Sequence, residues 1–139
     1  MFEKNYTQSP TEIQSAIENV ARVFKDYKLQ EKPTPSGLSR CWNSLTYHDY
    51  KISGDETGST LSVQSGKAGK KLSESESDQN NELFISQINK ILNREITITP
   101  EIANVNPYKP VSGGSLIYSL LVLAIAIYGI YWAFKAFFS

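Results

Sequence analysis

The feature that most constrains this chain is a run of nineteen residues, LIYSLLVLAIAIYGIYWAF from Leu116 to Phe134, without a single charged side chain. Wound into a helix at 1.5 Å per residue, such a run covers roughly 28 Å, close to the ~30 Å hydrocarbon thickness of a bilayer. A helix apolar on every side needs lipid or a large protein interior around it. The rest of the chain offers little interior. The whole is 40% apolar, but the C-terminal run takes so much of that share that residues 1–115 are lean beside an ordinary domain.

Length and apolarity therefore predict one transmembrane helix over 115–138. Tyr118, Tyr131, Trp132 and Lys135 fall where interfacial anchors belong, the rings at headgroup level and the lysine snorkelling outward. Gly129 and Ala133 form a small-xxx-small pair that would let a second helix approach, so a homo-oligomer through this helix is one expectation. Residues 1–30 hold no continuous apolar stretch of the signal-peptide kind. With the apolar address at the C-terminal end, the expected arrangement is tail-anchored and single-pass. The N-terminal domain is then cytoplasmic and a short tail lies on the opposite side.

Ahead of the apolar run the pattern is that of a small α+β domain over residues 1–99. Ser9-Pro10-Thr11-Glu12 is a capping box with proline at the first helical position. Ile13, Ala16, Ile17, Val20, Val23, Phe24 and Tyr27 then repeat at helical spacing, predicting a helix over about 10–28. Two prolines and a glycine in Lys32–Gly37 interrupt the chain. Residues 39–65 are rich in strand formers and are split by Gly54-Asp55-Glu56-Thr57-Gly58, which predicts an antiparallel hairpin. Imperfect alternation places a bulge or break near Thr46–Asp49.

A polar linker follows over 66–77, then a helix over about 78–93 carried by Leu83, Phe84, Ile85, Ile88, Ile91 and Leu92, and a short strand over about 95–99. Residues 100–114, with Pro107, Pro110 and Gly113-Gly114, read as a tether. The expected architecture is two amphipathic helices on a two- or three-stranded antiparallel sheet, followed by the transmembrane helix.

Several kinds of chemistry are absent from the pattern. Fourteen basic residues balance fourteen acidic ones, so no large positive field exists to hold nucleic acid. A single cysteine, Cys41, rules out an internal disulfide framework and makes a poor start for a zinc site. Gly66-Lys67-Ala68-Gly69-Lys70-Lys71 lacks the spacing of a phosphate-binding loop. Cys41, Ser44, His48 and Asp49 are the one set from which a nucleophilic site could be arranged. In a straight strand Cys41 and His48 point to opposite faces, and Ser44 stands about 13 Å from His48. No catalytic residue, metal or cofactor is expected.

The function expected from these residues is a non-enzymatic interaction or assembly module for a membrane-bound complex, with an integral or membrane-associated protein as its partner. Trp42, Tyr47 and Tyr50 are its candidate binding residues, because aromatic side chains dominate interface hot spots. The alternative is a small membrane-active or transporter-regulating protein that works by oligomerising its C-terminal helix.

Overall fold

The computed structural model describes residues 1–109 and the backbone of 113–138, with side chains described for 1–109 and 121–137. The chain divides into two compact units, Met1–Lys109 and Pro110–Ser139.

The first unit is α+β. Its sheet comprises β1 (Phe2–Tyr6), β2 (Tyr27–Leu29), β3 (Ser39–Asn43), β4 (Thr46–Asp55) and β5 (Gly58–Lys67), and its helices are α1 (Pro10–Val23), α2 (Glu74–Leu92) and the four-residue α3 (Pro100–Ala103). The strands lie in the order β1-β5-β4-β3-β2, every neighbouring pair antiparallel. Five strands therefore replace the expected two or three.

The two extra strands are short and come from segments with weak patterns. In β1 only Phe2 and Tyr6 carry apolar bulk, yet their register opposite Val63 and Ser59 turns both toward the core. In β2, Tyr27 and Leu29 are buried while Lys28 between them is not. That three-residue strand takes the end of the expected first helix. The helix stops at Val23, where Phe24 adopts extended backbone and its N–H closes on Val20 O.

The expected single hairpin is in fact two. β3 and β4 are joined by a tight turn at Ser44-Leu45, closed by the Asn43–Thr46 pair, with Ser44 in the left-handed region at φ 54°. β4 and β5 turn at Glu56-Thr57, where Asp55 Oδ1 accepts from Thr57 N at 2.9 Å. The linker expected over 66–77 is half taken up, since β5 runs to Lys67 and α2 opens at Glu74 with Ser73 accepting from Glu76 N.

No strand forms over 95–99. Helix α2 ends in a Schellman-type cap, Arg94 at φ 57° and Glu95 N donating to Lys90 O at 3.0 Å. Ile96 and Ile98 pack on the core without pairing. Their alternation reflects contact with one apolar surface and not a ladder. The tether expected from residue 100 is also partly folded. Leu29 N donates to Pro107 O at 2.9 Å and Lys109 N to Leu29 O at 2.6 Å, so residues 107–109 lie along the free edge of β2.

Alternation along the strands sets two faces. On the inner face Tyr27, Leu29, Cys41, His48, Tyr50, Leu61 and Val63 meet Ile13, Ile17, Val20 and Ala21 of α1 and Phe84, Ile85 and Ile88 of α2 in one buried core. The outer face carries Arg40 and Trp42 of β3 and Tyr47, Asp49 and Lys51 of β4, none fully buried.

The second unit contains α4 (Gly113–Phe138). Here the expected membrane crossing is corrected: among the described residues, no helix is long and apolar enough to cross a membrane. The described side chains of α4 run from 121 to 137 and include Lys135. The tail-anchored arrangement and the single-pass localisation fall with the span, as do the transmembrane terms of the expected fold. Tyr131, Trp132 and Lys135 then have no span to flank, and the side chain of Tyr118 lies outside the described residues.

Candidate functional site

Trp42, Tyr47 and Tyr50 separate into two places. Trp42 and Tyr47 are direct cross-strand partners on the outer face, their rings edge-to-face with centroids 5.3 Å apart. Tyr50 points the other way, 3% exposed, with its hydroxyl donating to Gln14 Oε1 of α1 at 3.2 Å. Burial pushes the Tyr50 phenol well above its ordinary range. It is a core residue that ties the sheet to α1.

Around Trp42 and Tyr47 the outer face is built from charge on aromatic. Arg40 and Asp49 are the next cross-strand pair on the same face of the ladder and form a two-pronged ion pair, Nε to Oδ1 at 2.6 Å and Nη2 to Oδ2 at 2.9 Å. That hydrogen bonding raises the guanidinium further above its ordinary value. The held guanidinium lies 3.8 Å from the Tyr47 ring centroid and 5.4 Å from that of Trp42. Lys109 brings its ammonium to 4.9 Å from the Trp42 centroid, and the Trp42 indole N–H donates to Gln30 Oε1 at 3.1 Å.

Gly66 makes room for this arrangement. It pairs with Tyr47 across β4 and β5, and a Cβ at Gly66 would stand 2.5 Å from the Tyr47 ring. This glycine, the first of the run that lacks phosphate-loop spacing, is the floor on which an aromatic ring lies. Arg40, Lys109 and Gln30 were not expected as site residues. Arg40 two positions before Trp42, hence on the same face of a strand, was visible in the sequence, whereas Lys109 reaches Trp42 because residues 107–109 close the β2 edge.

The possible nucleophilic set comes out differently from its sequence geometry. The turn at Ser44-Leu45 folds β4 back on β3, so Cys41 and His48 become cross-strand neighbours on the inner face, both fully buried. Their environment opposes catalysis. Burial pushes the Cys41 thiol up to about 12 and the His48 imidazole down to about 4, so neither takes the charged form that a thiolate–imidazolium pair requires. Ser44 sits in the turn, and Asp49 faces outward on Arg40.

His48 belongs to a different network. Ser65 Oγ donates to Asn81 Oδ1 at 2.7 Å, so it is left to accept from His48 Nδ1, also at 2.7 Å. Nδ1 therefore carries the ring proton and Nε2 is a bare acceptor. Phe84 stacks on the imidazole at 4.5 Å between centroids and 5° between planes. The network fastens α2 to β4 and β5.

Two open hollows lie beside α1, one of about 420 Å³ lined by Pro10, Gln14, Glu18 and Ile52, the other of about 350 Å³ lined by Glu12, Asn19, Ile91 and Arg94. Among the described residues no three His, Cys, Asp or Glu side chains gather as a metal site.

In the second unit a Cβ at Gly129 would meet nothing within 4 Å, and Ala133 lies one turn further on a surface where Leu121, Ile125, Ile127, Ile130 and Trp132 are exposed. Fold and site together define an α+β domain with a five-stranded antiparallel sheet and a cation-capped aromatic pair on its outer face. The chain matches no protein-family model, and comparison with curated proteins and with solved structures finds no similar protein.

Proposed function

We propose that the Met1–Lys109 unit is a non-enzymatic protein-interaction module whose docking surface is the outer face of the sheet around Trp42 and Tyr47. One observation carries the reading: two large aromatic side chains are fixed there by Arg40, Lys109 and Gln30 and are only half-buried. Pre-ordered aromatics lose little entropy on binding and dominate hot spots. Lys28, Lys51 and Lys109 surround them, while Asp49 is neutralised by Arg40. A protein segment that offers carboxylates beside an apolar side chain suits this face, with charge setting the rate of encounter and the rings setting residence.

The test compares proteins retained by the full chain with those retained by Trp42→Ser and by the double variant Lys28→Glu, Lys51→Glu. The reading requires a partner lost with Trp42→Ser, weakened by charge reversal and weakened by added salt, while circular dichroism shows both variants folded. An identical set of retained proteins for all three would defeat it.

A second reading rests on α4. Exposed apolar side chains on a helix are sites of association, and the open surface at Gly129 admits a second copy of the same helix. Sedimentation of the full chain and of Gly129→Leu separates the two: a self-associating species that dissociates in the variant favours this one.

A further inference from the structure

The five-stranded sheet has two edges, and the first unit closes only one of them. Residues 107–109 lie along β2, with Leu29 N donating to Pro107 O and Lys109 N to Leu29 O. At the other edge β1 pairs with β5 alone. The phase of the ladder tells which backbone groups of β1 are free. β4 and β5 close on the two-residue turn Glu56-Thr57, which makes Asp55–Gly58 a hydrogen-bonded pair. Alternation from that pair turns the N–H and C=O of Ser59, Leu61 and Val63 toward β1, where they meet Tyr6, Lys4 and Phe2. The N–H and C=O of Glu3 and Asn5 therefore point away from the sheet, and among the described residues they have no backbone partner. Thr7 follows in phase and has none either. Glu3, Lys4, Asn5 and Thr7 are exposed, while Phe2 and Tyr6 are half-buried. An open row of donors and acceptors of this kind is a template for another strand.

The charges along β1 decide which strand fits. A second copy of the chain can pair antiparallel about a two-fold axis, and outward-facing groups meet outward-facing groups when that axis passes through Glu3, Lys4 or Asn5. An axis at Glu3 sets that carboxylate directly opposite its own copy, and an axis at Lys4 does the same with the ammonium; like charges so placed are destabilising. An axis at Asn5 has no such conflict. Asn5 then faces Asn5, each Oδ1 already accepting from Thr60 Oγ1 at 2.9 Å and each NH2 left to donate. Glu3 faces Thr7, and Lys4, on the same face of β1 as Tyr6, comes against the Tyr6 ring of the other copy, a cation on an aromatic. The lysine that guards an edge strand against indiscriminate pairing here selects one register. We propose that the free edge of β1 is a self-association site, at which two copies of this chain pair antiparallel about a two-fold axis at Asn5 and join their five-stranded sheets into one. The site uses neither the Trp42–Tyr47 pair, three strands away, nor α4.

Sedimentation velocity and residue-resolved amide hydrogen exchange on the full chain, over a wide range of protein concentration, test the site. The expected result is a reversible dimer whose formation slows exchange at Glu3, Asn5 and Thr7, while Lys4 and Tyr6, bonded to β5, are protected at every concentration. Asn5→Pro removes an N–H that points away from β5, so circular dichroism should show the fold kept while the dimer is lost. Asn5→Asp brings two carboxylates together on the axis and should weaken association roughly fivefold at low salt, with recovery as salt is added. Gly129→Leu should leave this dimer unchanged. A monomer at all concentrations, a dimer in which Glu3 and Asn5 exchange freely, a dimer undiminished by Asn5→Asp, or protection of these amides only in the presence of a different protein would each overturn the proposal.

Discussion

Gly66 and Tyr47 face each other across the β4–β5 ladder, and the Tyr47 ring occupies the space where a side chain at Gly66 would begin. The aromatic pair on the outer face thus depends on a position two strands away from Trp42. Gly66→Ala should force the Tyr47 ring off its site and destabilise the domain by about 1–3 kcal/mol, the ordinary range for overpacking. The same substitution in a Tyr47→Ala background should cost much less. Urea denaturation of the four proteins measures the coupling, and additive losses would show that the contact carries no energy.

Acid should loosen this domain through His48. Burial lowers the folded-state pKa from 6.5 to about 4, so between those values the unfolded chain binds a proton that the folded one refuses. The stabilisation is fully present above about pH 6.5 and is lost as pH falls toward 4, amounting to about 3 kcal/mol over that window. His48→Phe should flatten this part of the stability curve. Denaturation midpoints measured between pH 4 and 7 for both proteins provide the check.

Cys41 should behave as an inert thiol. It is fully buried in the core, and desolvation holds it protonated. Its reaction with an aromatic disulfide reagent at pH 8 is expected to be slower than that of the urea-unfolded chain by on the order of 100-fold or more. Rapid labelling of the folded protein would contradict the placement of β3.

The ion pair of Arg40 with Asp49 serves geometry more than stability. Its partners are 22% and 14% exposed, and lysine at position 40 would keep the charge but lose the fork and the flat stack on Tyr47. Arg40→Lys should cost about 1 kcal/mol. A double-mutant cycle with Asp49→Asn, read by urea denaturation, should show most of that loss as coupling between the two.

Some of this architecture was legible in the residues. The capping box at Ser9–Glu12 marks the start of α1, and the Gly54–Gly58 segment marks the β4–β5 turn. The Ser44-Leu45 turn was hidden because the pair lacks the glycine, or the Asn-Gly or Asp-Gly step, that marks a two-residue hairpin loop. Ser44 takes its positive φ under tertiary constraint, its N–H held by Asp26 O at 3.1 Å. That single turn decides the site, because it moves Cys41 and His48 to one face and sets Trp42 against Tyr47. Tyr50 turns inward for the same reason: its place on the inner face follows from the register of β4, which alternation alone does not fix. The C-terminal run was conspicuous by composition, yet among the described residues no helix is long and apolar enough to cross a membrane.

The order of the strands also carries a consequence for assembly of the fold. β1 opens the chain but pairs only with β5, Phe2 opposite Val63, and Tyr6 reaches Asn89 Oδ1 with its hydroxyl at 2.9 Å. During synthesis the first strand has no partner until some sixty further residues have been made, and its anchor on α2 comes later still. Contacts of such long sequence separation slow folding and leave an unpaired strand exposed while they wait. The β2–β3–β4–β5 meander can form locally, so the N-terminal residues are placed last on a sheet already built.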